Sequence, residues 1–137
     1  MFKVSRIPGL LALAMLTAAC ATEPAREQRS LEQILADKGY RIGEEIPHIR
    51  EFRFDGWTEV DNLHLILHSR VSDRYLVTLG SICDGLLYSS TIKLSTTVGQ
   101  FTRFDYVMVG GPGGTGGRCN VRTLNELEKI EQEGSSD

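Results

Sequence analysis

Apolar and polar residues alternate with a period of two through the middle of the chain, which is the pattern of half-buried β-strands. His48-Ile49-Arg50-Glu51-Phe52-Arg53-Phe54 runs into Asp55-Gly56, a turn pair, and then into Trp57-Thr58-Glu59-Val60, so two paired strands are expected there. Asp61-Asn62 interrupts the pattern before a run at 63–68, and Ser72-Asp73 interrupts it again before Tyr75-Leu76-Val77-Thr78-Leu79, which reads as a meander. Further strand-like runs cover 86–94, 98–101 and 104–109, and Arg118-Cys119-Asn120-Val121 reads as another. Six or seven short strands at intervals of roughly ten residues predict a mainly β fold, a small antiparallel β-barrel or sandwich. No helical period separates the strands, so a parallel α/β sheet is excluded.

Two helices are expected to flank the sheet. Ser30-Leu31-Glu32-Gln33 fits a capping box, Leu31, Ile34 and Leu35 share a face, and Gly39 stands as a stop, which predicts a helix over 31–38. Thr123-Leu124-Asn125-Glu126 repeats the box, with Leu124, Leu127 and Ile130 on one helical stripe, and this predicts a terminal helix packed on the sheet. Residues 131–137 read as an acidic disordered tail, and 20–29, with Pro24 and no large apolar side chain, as a flexible tether. One β-rich domain over 30–130 remains. At 137 residues the chain has room for hardly more, and a multidomain enzyme is excluded.

The first 19 residues have another character. Lys3 and Arg6 precede a short apolar run, then Thr17-Ala18-Ala19 and Cys20, the layout of an export signal. The run is too short, and too interrupted by Pro8 and Gly9, for the roughly 20 residues that a membrane-spanning helix needs. Leu16-Thr17-Ala18-Ala19-Cys20 resembles a bacterial lipobox, which implies cleavage before Cys20 and lipid attachment to its sulfur; the competing reading is an ordinary secretory signal cut after Ala19 or Ala21. With about 0.8 kcal/mol per buried methylene, three acyl chains would hold the protein to a membrane almost irreversibly. Ala21 after the anchor implies, by the same resemblance, the outer membrane.

Three cysteines is an odd count, and a lipidated Cys20 accounts for the odd one. Cys83 and Cys119 are then expected to form a disulfide in an oxidising compartment. It would close a loop of about 37 residues, for which the chain-entropy account gives roughly 3 to 4 kcal/mol. A redox C-x-x-C and a zinc ligand set are both missing from the sequence around them.

The formal charge of −3, with a pI near 5.6, supplies no basic surface for nucleic acid. Without residues 1–19 the balance is 13 Lys+Arg against 18 Asp+Glu, or −5. Gly111, Gly113 and Gly116 spell a literal G-x-G-x-x-G, but the strand expected after Gly117 leaves no helix to receive a pyrophosphate; a mobile hairpin loop is expected instead, and no cofactor. His64 and His68, four apart on a strand, stand about 13 Å from each other and cannot share a metal ion. They are read as solvated, opposite Leu63, Leu65 and Leu67 on the core face. Ser81, Cys83, Ser89 and Ser90 lack a nucleophile-elbow context. Asp55, Asp61, Asp84 and Asp105 are read as turn residues, and Trp57 as a core or rim residue. No catalytic or metal-binding residue is assigned.

Asp55-Gly56-Trp57, the strand at 63–67, Tyr75-Leu76-Val77-Thr78-Leu79 leading to Cys83, and Arg118-Cys119-Asn120-Val121 together resemble an uncharacterised family of small proteobacterial lipoproteins, filed under a domain of unknown function. The resemblance covers residues 46–128 and carries no activity with it. The expected protein is an outer-membrane lipoprotein facing the periplasm, a binding or structural module for an envelope protein or glycan. Two alternatives stand beside it: an acidic inhibitor or capture protein for a basic cell-wall hydrolase, and a small periplasmic enzyme whose fold brings Asp and His residues together.

Overall fold

A computed structural model describes residues 29–110 and 117–131 of the chain. One helix, α1 (Leu31–Asp37), precedes eight strands: β1 (Tyr40–Ile46), β2 (His48–Glu59), β3 (His64–Ser69), β4 (Asp73–Leu79), β5 (Thr91–Leu94), β6 (Val98–Thr102), β7 (Tyr106–Gly110) and β8 (Arg118–Lys129). Every pairing is antiparallel, in the order β5-β7-β8-β4-β3-β2-β6, with β1 added along β8. The result is the mainly antiparallel β architecture expected, in the form of a curled half-barrel.

Bulges produce the curl. β2 shifts register between Ile49 and Phe52 and again between Phe54 and Gly56, and Glu51 takes φ +49° in the first shift. The extra residue lets Ile49 and Phe52, three apart, both bury their side chains, and Phe52 meets Phe101 of β6 with ring centroids 5.2 Å apart. Each half of β2 then has its own partner, β6 for the first and β3 for the second.

The sheet buries side chains on both faces. Leu65, Leu67, Val77, Leu79, Phe101 and Leu124 belong to the main core, with Trp57 half-buried against it. On the opposite face α1 lays Leu35 over Ile66 and Leu76, flanked by Tyr40, Ile42 and Leu127. Each fully buried side chain of this size contributes about 1.5 to 3 kcal/mol. The helix keeps its expected signals: Ser30 accepts from the Gln33 N–H, Gln33 returns a bond to the Ser30 N–H, and Gly39 ends the helix at φ +88°.

Cys83, just past β4, and Cys119 on β8 are joined by a disulfide, with Cα atoms 5.8 Å apart and both residues buried in the main core.

Three expectations are corrected and one strand is added. The terminal helix is absent, because residues 118–129 form β8, which pairs with β1, β4 and β7. Leu124 and Leu127, spaced as on a helix, serve opposite cores of a strand covered on both sides. Tertiary pairing overrides helix propensity here. Asp55-Gly56 is a bulge within one strand, not a hairpin turn. Residues 86–94 begin with a 3₁₀ turn, Leu86–Tyr88, and only Thr91–Leu94 is strand. β1 has no counterpart in the sequence reading, because a bulge between Ile42 and Glu45 breaks its alternation.

Candidate functional site

Pro47 separates β1 from β2 and has no N–H to give a ladder. The chain changes partners across it: Ile46 lies opposite Leu124 of β8, while His48 lies opposite Thr102 of β6. The wall of the half-barrel stays open at this corner. A cleft of about 320 Å³ fills the opening, lined by Ile46, Pro47, His48, Ile49 and Arg50 on one side and by Tyr75 and Glu126 on the other. Tyr75 and Glu126 are register partners across β4 and β8 and lie beyond the last buried residues of the main core.

The polar groups of the cleft are differently engaged. Arg50 Nε donates to His48 Nε2 at 3.1 Å, which places the proton of a neutral His48 on Nδ1. Burial, with the Asp73 and Glu126 carboxylates adding to it and Arg70 opposing, pushes the Tyr75 hydroxyl above its usual range, so Tyr75 is a donor at neutral pH. Two smaller depressions adjoin. One, of about 220 Å³, shares Tyr75 and Glu126 and adds Asp73 and Arg74. The other, of about 230 Å³, shares Ile46 and Pro47 and adds Glu45, Arg103 and Arg122.

The three histidines do not meet in one place. His48 shares the cleft with the Glu126 carboxylate. His64 is paired with Asp61 through Nδ1, at 2.8 and 2.9 Å to the two carboxylate oxygens, and Asp61 also accepts the Leu63 N–H at 2.7 Å. That is a local turn clamp. His68 Nε2 lies 2.9 Å from Thr58 Oγ1, and burial followed by the Arg74 charge lowers its pKa. The expectation of two solvated histidines is therefore corrected: both are half-buried, because α1 and the neighbouring strands cover much of that face. Asp105 does far more than cap a turn; its carboxylate receives Ser95 Oγ, Thr96 Oγ1 and both the N–H and Oγ1 of Thr102 at 2.6 to 3.0 Å.

Among the described residues no group of three or more His, Cys, Asp or Glu could hold a metal ion, and no helix is long and apolar enough to cross a membrane. The expected export signal, Cys20 and most of the expected tether, the glycines at 111, 113 and 116, and residues 132–137 of the expected tail lie outside the described residues. Arg50, Tyr75, Glu126 and Arg122 escaped the sequence reading. Glu126 carries a signal in retrospect, being a charge two residues past the buried Leu124 on the same face of β8; it becomes visible only when 118–129 is read as strand.

The model of one protein family, described as "Family of unknown function (DUF6491)", matches residues 3–136 of the chain. No curated protein and no solved structure matches it.

Proposed function

The chain belongs to DUF6491, and because that family brings no activity with it we propose a reading from the chain's own chemistry: a proteobacterial lipoprotein, anchored through Cys20 in the outer membrane, whose half-barrel binds another component of the envelope. The observation that carries this is the use made of sulfur. Cys83 and Cys119 are bound to each other, so Cys20, preceded by Leu16-Thr17-Ala18-Ala19, is the cysteine left for lipid. The cleft at the Pro47 corner is the binding surface. Arg50 occupies the Nε2 lone pair of His48, so that nitrogen is poorly placed to accept a proton from a substrate, and the arrangement suits recognition better than base catalysis.

Growth with a fatty-acid probe tests the anchor. Wild-type chain incorporates the label and the Cys20→Ser variant does not; label in that variant, or none in the wild type, overturns the reading. The balance of −5 past residue 19 favours a second reading, capture of a basic envelope protein. Its sign is a binding rate that falls steeply as salt is raised.

A further inference from the structure

We propose that the mouth of the half-barrel is a site for a short extended peptide, its carboxylate held at the Arg122 and Arg103 end and its ammonium at the Glu126 and Asp73 end. This rests on the cleft being the binding surface, and it adds the chemical class of the ligand.

Among the described residues the ion pairs are Arg29–Asp37, Arg41–Glu128, Arg70–Glu51 and His64–Asp61, so the two arginines and the two carboxylates named above have no ionic partner there. They are also sorted by sign. The depression beyond Pro47 holds Arg103 and Arg122 against the single carboxylate of Glu45. At the far end Asp73 and Glu126 face Arg74, whose guanidinium is already turned onto the carbonyls of Asp73 and Val71. A ligand with one charge type satisfies one end and meets the wrong sign at the other. A ligand with a negative end and a positive end satisfies both.

Length selects the peptide. Arg122 and Glu126 stand four residues apart on β8, across the bulge where its pairing with β4 shifts, so at the rise of a strand they are separated by at most about 13 Å. An extended chain of about four residues spans the same distance. Between the ends, Ile46, Pro47 and Ile49 offer an apolar wall, and the Tyr75 hydroxyl and the guanidinium of Arg50, whose Nε is held by His48, are donors to backbone carbonyls.

Isothermal titration of the purified full chain with tetra-alanine tests this, against the same peptide N-acetylated, C-amidated or both, and a two-dimensional amide NMR spectrum locates the contact. Capping either end is expected to weaken binding about three- to tenfold, as for a partly exposed charged contact. The Arg122→Gln variant loses its preference for the free carboxylate but keeps that for the free amine, and Glu126→Gln does the reverse. No saturable heat at millimolar peptide, or equal affinity for free and doubly capped peptide, overturns the ligand class. End-selective binding with amide shifts away from β4 and β8 overturns instead the cleft as the binding surface, and neither result touches the lipid anchor.

Discussion

Replacing Asp105 with asparagine probes how the half-barrel is held closed. β5 and β6 are the two ends of the main path of the curled sheet, and no ladder joins them. Asp105 does that work with side-chain bonds: Oδ1 accepts from Ser95 and Thr96, in the link between these ends, at 2.6 and 2.7 Å, and Oδ2 accepts from Thr102 N–H and Oγ1, at the end of β6, at 2.7 and 3.0 Å. The Asp105 carbonyl also receives the Val121 N–H of β8. An asparagine carries no charge and one oxygen: turned with that oxygen toward Thr102, it meets the Ser95 and Thr96 hydroxyls with its NH₂ group, and they stop donating and turn to accept. Each hydrogen bond to a charged acceptor is worth about 1.5 to 3 kcal/mol, and with partial exposure and non-additivity the loss comes to about 2 to 4 kcal/mol. Urea unfolding at pH 7 measures it, alongside a fall in Tm of at least about 8 °C.

The pH dependence supplies an independent check. Burial alone would raise the Asp105 pKa, but the bonds from Ser95, Thr102 and Thr96 outweigh it and hold the carboxyl below its usual value. A depressed folded pKa means that the unfolded chain binds the proton first. The stabilisation is therefore complete above the ordinary Asp value and drains away as the pH falls through the folded value. The gap between wild type and Asp105→Asn must narrow in acid. A penalty under about 0.5 kcal/mol at pH 7, or one that persists unchanged in acid, would refute the clamp.

Three further outcomes are expected. Changing both Cys83 and Cys119 to alanine should cost roughly 3 to 4 kcal/mol in urea unfolding, and the native chain should show neither sulfur as a free thiol to a thiol reagent. Because burial and Arg74 depress the His68 pKa, the unfolded chain gains a proton there before the folded one does, so stability should decline as pH falls below about 6.5; His68→Gln should flatten that slope in a pH series of unfolding midpoints. At Gly43 an added Cβ would lie 2.9 Å from the Glu126 carbonyl oxygen, so Gly43→Ala must push β1 away from β8 and should lose about 1 to 3 kcal/mol by calorimetry.

Much of this architecture follows from local rules. Alternation placed Leu65 and Leu67 in the core and located strands at 63–68 and 75–79, within two residues of β3 and β4, the capping box and Gly39 bounded α1, and cysteine arithmetic paired Cys83 with Cys119. These signals are legible because they depend on a residue and its near neighbours. Bulges, shared strands and the mouth are different, since each arises when distant segments meet. Whether Leu124 and Leu127 mark a helix face or a strand buried on both sides depends on α1 covering the outer face and the core filling the inner one. Tyr75 and Glu126 face His48 and Arg50 only because β8 draws β1 and β4 alongside it and Pro47 then sends β2 to another partner. Periodicity assigns a residue to a face; which faces are covered, and which charges are left looking at one another across a gap, is decided by the closing of the sheet.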